Sequence, residues 1–187
     1  MLQTKKFALP PALAGLLLLA IGFTTPVRAA DDACKLFLDA TKKVIVTPTH
    51  MYITETAGFR NNKPENTETI YTGGLHGAIY VMVKGKWTRS KLTPEDMVKQ
   101  KDDSGRTGKS SCRYLRDESV NGEPAAVYTS HSETEGAKVD ATVWVSKSKG
   151  LPLREESDMD VGGGAMGKTH ISGRFDYSNV HPPAGVQ

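Results

Sequence analysis

The pattern of apolar and polar positions divides the chain into one helical stretch and then a long succession of short alternating segments. Ala33, Leu36, Phe37, Ala40 and Val44 recur at three- and four-residue steps and line one stripe of a helix. Asp31 and Asp32 suit its N-terminus, where the helix dipole favours negative charge, and Pro48 marks its end. Period-two segments follow at residues 51–59, 67–73 and 78–84, with turn residues between them. In residues 78–83 both faces are apolar, with Ile79, Val81 and Val83 opposite Ala78, Tyr80 and Met82, which predicts a central strand covered on both sides. Thr93-Pro94-Glu95-Asp96 supplies an N-cap, a first-turn proline and acidic first-turn residues, so a small helix is expected over residues 94–101. Residues 102–111 are polar and glycine-bearing and read as a mobile loop.

From Cys112 onward the pattern is an antiparallel meander. Segments 112–120 and 125–132 are joined by Asn121-Gly122, a strong hairpin signal because both residues tolerate the positive φ of a type I′ turn. Val139, Ala141, Val143 and Val145 form an apolar face, opposite Asp140, Thr142, Trp144 and Ser146, among which Trp144 is the exception. Gly150-Leu151-Pro152 turns the chain into segment 153–159, the glycines 162–164 turn it again, and Ile171, Gly173, Phe175 and Tyr177 alternate along a last strand. The expected fold class is α+β: an N-terminal helix, about seven or more antiparallel strands, and a small middle helix.

The segment ahead of the first helix has a different character. Lys5 and Lys6 precede an apolar run over residues 12–23, and Arg28-Ala29-Ala30 ends in the small residues a signal peptidase accepts. The run is shorter than the roughly 20 residues that span a bilayer, so residues 1–30 read as a cleaved signal peptide and not a stable membrane anchor. Residues 31–187 are then a single domain.

Export changes the charge count. The chain has 24 Lys and Arg against 21 Asp and Glu, but Lys5, Lys6 and Arg28 lie in the leader, which leaves the two signs balanced. A neutral domain gives no argument for nucleic acid or for an anionic membrane surface. Cys34 and Cys112, the two cysteines, both fall in the mature part, and an oxidising compartment favours pairing them over two free thiols. Acylation of Cys34 is disfavoured because Asp31-Asp32-Ala33 precedes it, where a lipidation site needs a large apolar residue followed by small ones.

Gly162 followed by Gly167-Lys168-Thr169 matches the spacing of a phosphate-binding loop. Such a loop needs a helix after it to present its N-terminal amides. The residues that follow alternate with period two, so a glycine-rich hairpin is expected and no nucleotide. His50, His76, His131, His170 and His181 lack metal-ligand spacing, and Glu155 and Glu156 point to opposite faces of one strand. No catalytic residue, metal or cofactor is assigned, and the chain is read as a non-enzyme.

One resemblance rests on the C-terminal half. Asn121-Gly122-Glu123-Pro124 leads into a strand; Thr142-Val143-Trp144-Val145-Ser146 then precedes Lys149-Gly150-Leu151-Pro152-Leu153-Arg154, and Asp176-Tyr177-Ser178-Asn179-Val180 closes before Pro182 and Pro183. This order resembles the periplasmic lipoprotein-carrier superfamily (LolA/LolB-like). The N-terminal helix and the Gly85-Lys86-Trp87 turn are similar to the same layout. The resemblance implies a strongly curved antiparallel sheet, an unclosed barrel, with both helices covering its concave face. It also implies a periplasmic location and a lipid or other hydrophobic ligand sheltered from water, with no lipid attached to Cys34 given the residues before it. Phe37, Val44, Tyr80, Met82, Met97 and Trp144 are the candidates to line such a space, or alternatively to fill it as ordinary core. A filled core would favour the alternative, an interaction domain for another envelope protein.

Overall fold

The computed structural model describes residues 30–107, 109–134 and 136–186. The expected signal peptide lies outside the described residues except for Ala30. Helix α1 (Ala30–Val46) forms where the apolar stripe predicts it, and buries Phe37, Ala40, Val44 and Ile45. Its last turn is closed by Thr47, whose hydroxyl donates to the Lys43 carbonyl at 2.7 Å, and by the Gly74 amide, which donates to Val46 at 2.7 Å. Pro48 then prevents the helix from continuing.

Nine strands form one sheet: β1 (Thr49–Ala57), β2 (Pro64–Tyr71), β3 (Ile79–Val83), β4 (Lys86–Arg89), β5 (Lys109–Val120), β6 (Glu123–Thr134), β7 (Ala137–Ser146), β8 (Pro152–Asp160) and β9 (Lys168–Asp176). Their spatial order is β4-β3-β2-β1-β9-β8-β7-β6-β5, every neighbouring pair is antiparallel, and the curved sheet does not close into a barrel. The last strand lies in the middle, between the first and the eighth. Asn121 and Gly122 have φ of 52° and 84°, the left-handed pair that a two-residue hairpin requires.

Three expectations are corrected. Residues 79–83 are not a central strand: β3 is next to the edge, only Ile79 is buried, and Val83 is 53% exposed. On its other face Met82 stands directly opposite Trp87 of β4 and Tyr80 opposite Arg89. Lys86 and Trp87, read with Gly85 as a turn, belong to that edge strand, which runs over Lys86–Arg89. The middle helix α2 runs over Pro94–Thr107 and takes up most of the stretch expected as a loop. Its start is well fixed, since the Thr93 amide and hydroxyl donate to the Asp96 carboxylate and the Asp96 amide donates back to the Thr93 hydroxyl. Beyond residue 101 nothing breaks it: a single glycine costs about 1 kcal/mol without ending a helix.

Two clusters pack on the helix-bearing, concave face. Phe37 and Ala40 meet Ala126, Tyr128, Val143 and Val145, with Leu36 and Cys112 beside them. Val44 and Ile45 meet Phe175, flanked by Met51, Met97, Val98 and Tyr177. A third cluster lies on the convex face, where Ala125, Val127 and Trp144 pack with Leu115, Val120 and Leu153. Cys34 and Cys112 are joined by a disulfide, Cα atoms 5.9 Å apart, which ties α1 to the edge strand β5.

Gly162 and Gly167-Lys168-Thr169 sit on the β8–β9 hairpin, whose tip is a 3₁₀ turn over Gly164–Gly167. Lys168 already pairs with Asp160 in the antiparallel ladder, so no helix follows the glycines.

Candidate functional site

The sequence candidates do not converge on one space. Phe37 and Val44 project from α1 and are each 8% exposed, packed directly on the sheet. The Phe37 ring lies 6.0 Å from that of Tyr128, and Ala40 beside it is fully buried, so side chains occupy the space beneath α1. Met97, on α2, joins the second cluster and is half-buried. Tyr80, Met82 and Trp144 stand on the other face of the sheet: Tyr80 pairs with Ile70, which pairs with His50, while Trp144 pairs with Val127 and Arg154. Trp144 is buried there beneath its neighbours, with the Arg154 guanidinium 4.7 Å above its ring.

Beyond α1 the concave face continues with half-buried apolar residues, interspersed with Glu55, Thr67, Thr69, Glu155 and Ser157. Met51 and Ile53 of β1, Val81 of β3, Ile171 of β9 and Met159 of β8 all point to this side. None of them was a sequence candidate. The available signal was the alternation in β1 and β9, which sets Ile53 and Ile171 on the same face as Phe175.

The convex face carries a polar ladder. His50 donates from Nε2 to the Glu68 carboxylate at 2.6 Å; a carboxylate only accepts, so in the neutral ring Nδ1 is left to accept from the Tyr52 hydroxyl at 3.1 Å. The two rings stack at 4.2 Å, and the Arg174 guanidinium lies 4.1 Å from the Tyr52 ring centre. Tyr52, Thr54, Asn66, Glu68, Ser172 and Arg174 surround an open depression of about 350 Å³. A second, of about 260 Å³, lies near Arg60, Glu65 and the β3–β4 turn. Both of these best-formed depressions are away from α1.

Further along, His170 lies 2.9 Å from Asp158 and 3.1 Å from Glu156. Burial raises Glu156, but Arg154, Ser172 and the neighbouring His170 outweigh it and hold its carboxyl below the usual range. His170 is raised, first by its hydrogen bond to Asp158. A raised histidine stabilises the fold below its unfolded value of about 6.5, and that contribution fades as pH climbs through the folded value. Replacing His170 with Asn is therefore expected to flatten the fall in stability between about pH 6 and 8. Urea melts at several pH values measure this, and an unchanged slope would refute it.

These groups do not form a nucleophile and base. The Ser172 hydroxyl donates to Glu156 at 3.0 Å and not to His170, and His131 is engaged with Asp140 at 2.7 Å. Among the described residues, no group of three or more His, Cys, Asp or Glu is arranged to hold a metal.

The motif residues behind the sequence resemblance meet at one corner. Ser146, fully buried, donates to Glu123 and accepts from the Lys149 amide at 2.9 Å, while the Lys149 ammonium reaches Glu123 at 2.9 Å. Lys43 of α1 caps the Lys149 carbonyl at 2.6 Å, and the Tyr177 hydroxyl donates to the Pro152 carbonyl. Burial pushes the Tyr177 phenol far up, which keeps it a donor at any physiological pH. The corner thus locks the β7–β8 turn to α1, to the β5–β6 hairpin and to the segment after β9.

No family model matches the chain, and no curated protein matches it. Among solved structures, MucB is 11% identical, with 85% of this chain aligned to 63% of MucB at a TM-score of 0.46. This chain therefore spans less than two thirds of MucB's length. A putative outer membrane lipoprotein-sorting protein domain from Vibrio parahaemolyticus is 9% identical over 82% of this chain and 95% of its own, at a TM-score of 0.28. A LolA superfamily protein from Nitrosomonas europaea is 11% identical over 80% of this chain and 92% of its own, at 0.27. The unclosed, curved antiparallel sheet with an N-terminal and a middle helix is the architecture that the sequence resemblance implies.

Proposed function

We propose that this chain is a non-enzymatic binding domain of the bacterial periplasm that receives an apolar segment of another envelope protein on its concave face. The observation that supports this reading is the packing of Phe37, Ala40, Val44 and Ile45 onto the sheet, which fills the space where an enclosed lipid would lie. The half-buried strip of Ile53, Val81, Ile171 and Met159 is open enough for a side chain or short segment to enter from outside. The signal sequence read in residues 1–30 supports the compartment, and the balanced charge of the remainder argues for apolar contact over electrostatic capture.

The same strip favours a second reading, in which it holds one acyl chain of a lipid along its length, each buried methylene contributing about 0.8 kcal/mol. A photo-crosslinking residue at Met159 in cells separates the two. The proposed function expects a discrete protein adduct that the additional change Ile171→Asp removes. Native mass spectrometry of periplasmic protein that instead retains a lipid, with no protein adduct, would replace it with the carrier reading.

A further inference from the structure

The end of the sheet opposite the α1 C-terminus carries exposed apolar residues on adjoining turns. Phe59, on the 3₁₀ turn Gly58–Arg60 between β1 and β2, is 58% exposed. Met166 on the β8–β9 turn is 64% exposed, and Val161 at its start is 54% exposed. The two turns touch: a Cβ on Gly58 would stand 1.8 Å from the Ala165 carbonyl oxygen, so only glycine permits this contact. Val83, 53% exposed, belongs to the neighbouring β3–β4 turn, which shares a depression with Arg60 and Glu65.

This tip is braced from below. Arg60 is ion-paired to Glu55 at 2.8 Å and Glu65 at 3.1 Å, and its guanidinium lies 4.9 Å from the Phe59 ring centre. Beneath it Ala57 is fully buried. Four exposed cations, Lys63, Lys84, Lys86 and Lys168, surround the apolar residues, and among the described residues none of them is ion-paired. At the other end Lys147 is paired with Asp117 at 2.7 Å and Lys149 with Glu123 at 2.9 Å, while Lys91 is exposed and, among the described residues, not ion-paired. Positive charge thus gathers around the apolar tip, offset in part by Asp160, the ladder partner of Lys168.

We propose that this tip docks reversibly on an anionic lipid surface, with Phe59, Met166 and Val161 entering the headgroup boundary and the four lysines resting on acidic headgroups. Apolar side chains ringed by lysines suit that boundary, because the long lysine stems lie along apolar surface while their heads stay in water. The inference is independent of what the concave face binds. No stable anchor is implied: among the described residues, no helix is long and apolar enough to cross a membrane.

Flotation of the mature protein with phosphatidylcholine vesicles, with and without phosphatidylglycerol, tests it. The protein should bind only the anionic vesicles, and added salt should release it. Phe59→Asp should weaken partitioning about tenfold, and Lys84→Glu and Lys168→Glu about fivefold each. These positions are exposed, and circular dichroism verifies that each variant stays folded. Absence of binding to anionic vesicles, or binding that Phe59→Asp leaves unchanged, would overturn the proposal. So would a protein adduct at Met166 that forms in cells although vesicles do not bind, since it would assign the tip to a protein partner.

Discussion

Reduction of the Cys34–Cys112 disulfide is expected to cost the fold about 4 kcal/mol, the loop-closure entropy returned to the unfolded chain when a 78-residue separation is freed. For a domain of this size that corresponds to a fall in melting temperature of about 10 °C. The effect has a location as well as a size. Cys34 holds the first turns of α1 against β5, and Cys112 packs beside the cluster that Phe37 and Ala40 form with β6 and β7. Thermal melts with and without dithiothreitol measure it, with full reduction verified by mass spectrometry. The double change Cys34→Ser and Cys112→Ser should reproduce the shift; a fully reduced protein melting within a degree or two of the oxidised one would contradict it.

Phe37→Ala is expected to destabilise the protein by about 3 kcal/mol, because the ring is packed between α1 and the sheet and its removal leaves a cavity beside Tyr128. Urea denaturation gives that number. The same variant tests the proposed function from another direction. If Phe37 fills the space an enclosed lipid would need, a fluorescent fatty acid should bind the variant better than the natural protein. A dye that binds the natural protein well and the variant no better would show that the filled space is not what governs lipid access.

Much of the fold was legible in the sequence because local chemistry specified it. Asn121-Gly122 fixed one hairpin, Thr93 and Asp96 fixed the start of α2, and the alternation of Val139, Ala141, Val143 and Val145 fixed the inner face of β7. β3 was misread because apolar content was taken as burial on both faces, whereas Tyr80 and Met82 are only half-buried, with Met82 beside Trp87 of the edge strand. Such lateral packing depends on strand order, which a single sequence does not state.

The candidate site was legible only in part. Alternation set Trp144 opposite Val143, yet its burial depends on Arg154, Leu153 and Leu115, brought together by irregular register next to Trp144 in β7 and next to Leu115 in β5. Phe59, Val161 and Met166 lie inside or beside turns, where apolar side chains have no partner. That mismatch was a sequence signal, and its meaning appeared only once the sheet had gathered these turns at one end.

The place of β9 between β1 and β8 bears on how the chain folds. Strands β1 to β4 form one meander and β5 to β8 another, each from near neighbours in sequence, while β9 joins them through pairs such as His50 with Asp176. Until residues 168–176 are available to pair, both meanders present an unpaired edge, and the long-range pairing that unites them is entropically slow to form. The nascent chain is therefore most vulnerable to proteases and to wrong strand partners in the interval just before its ninth strand arrives.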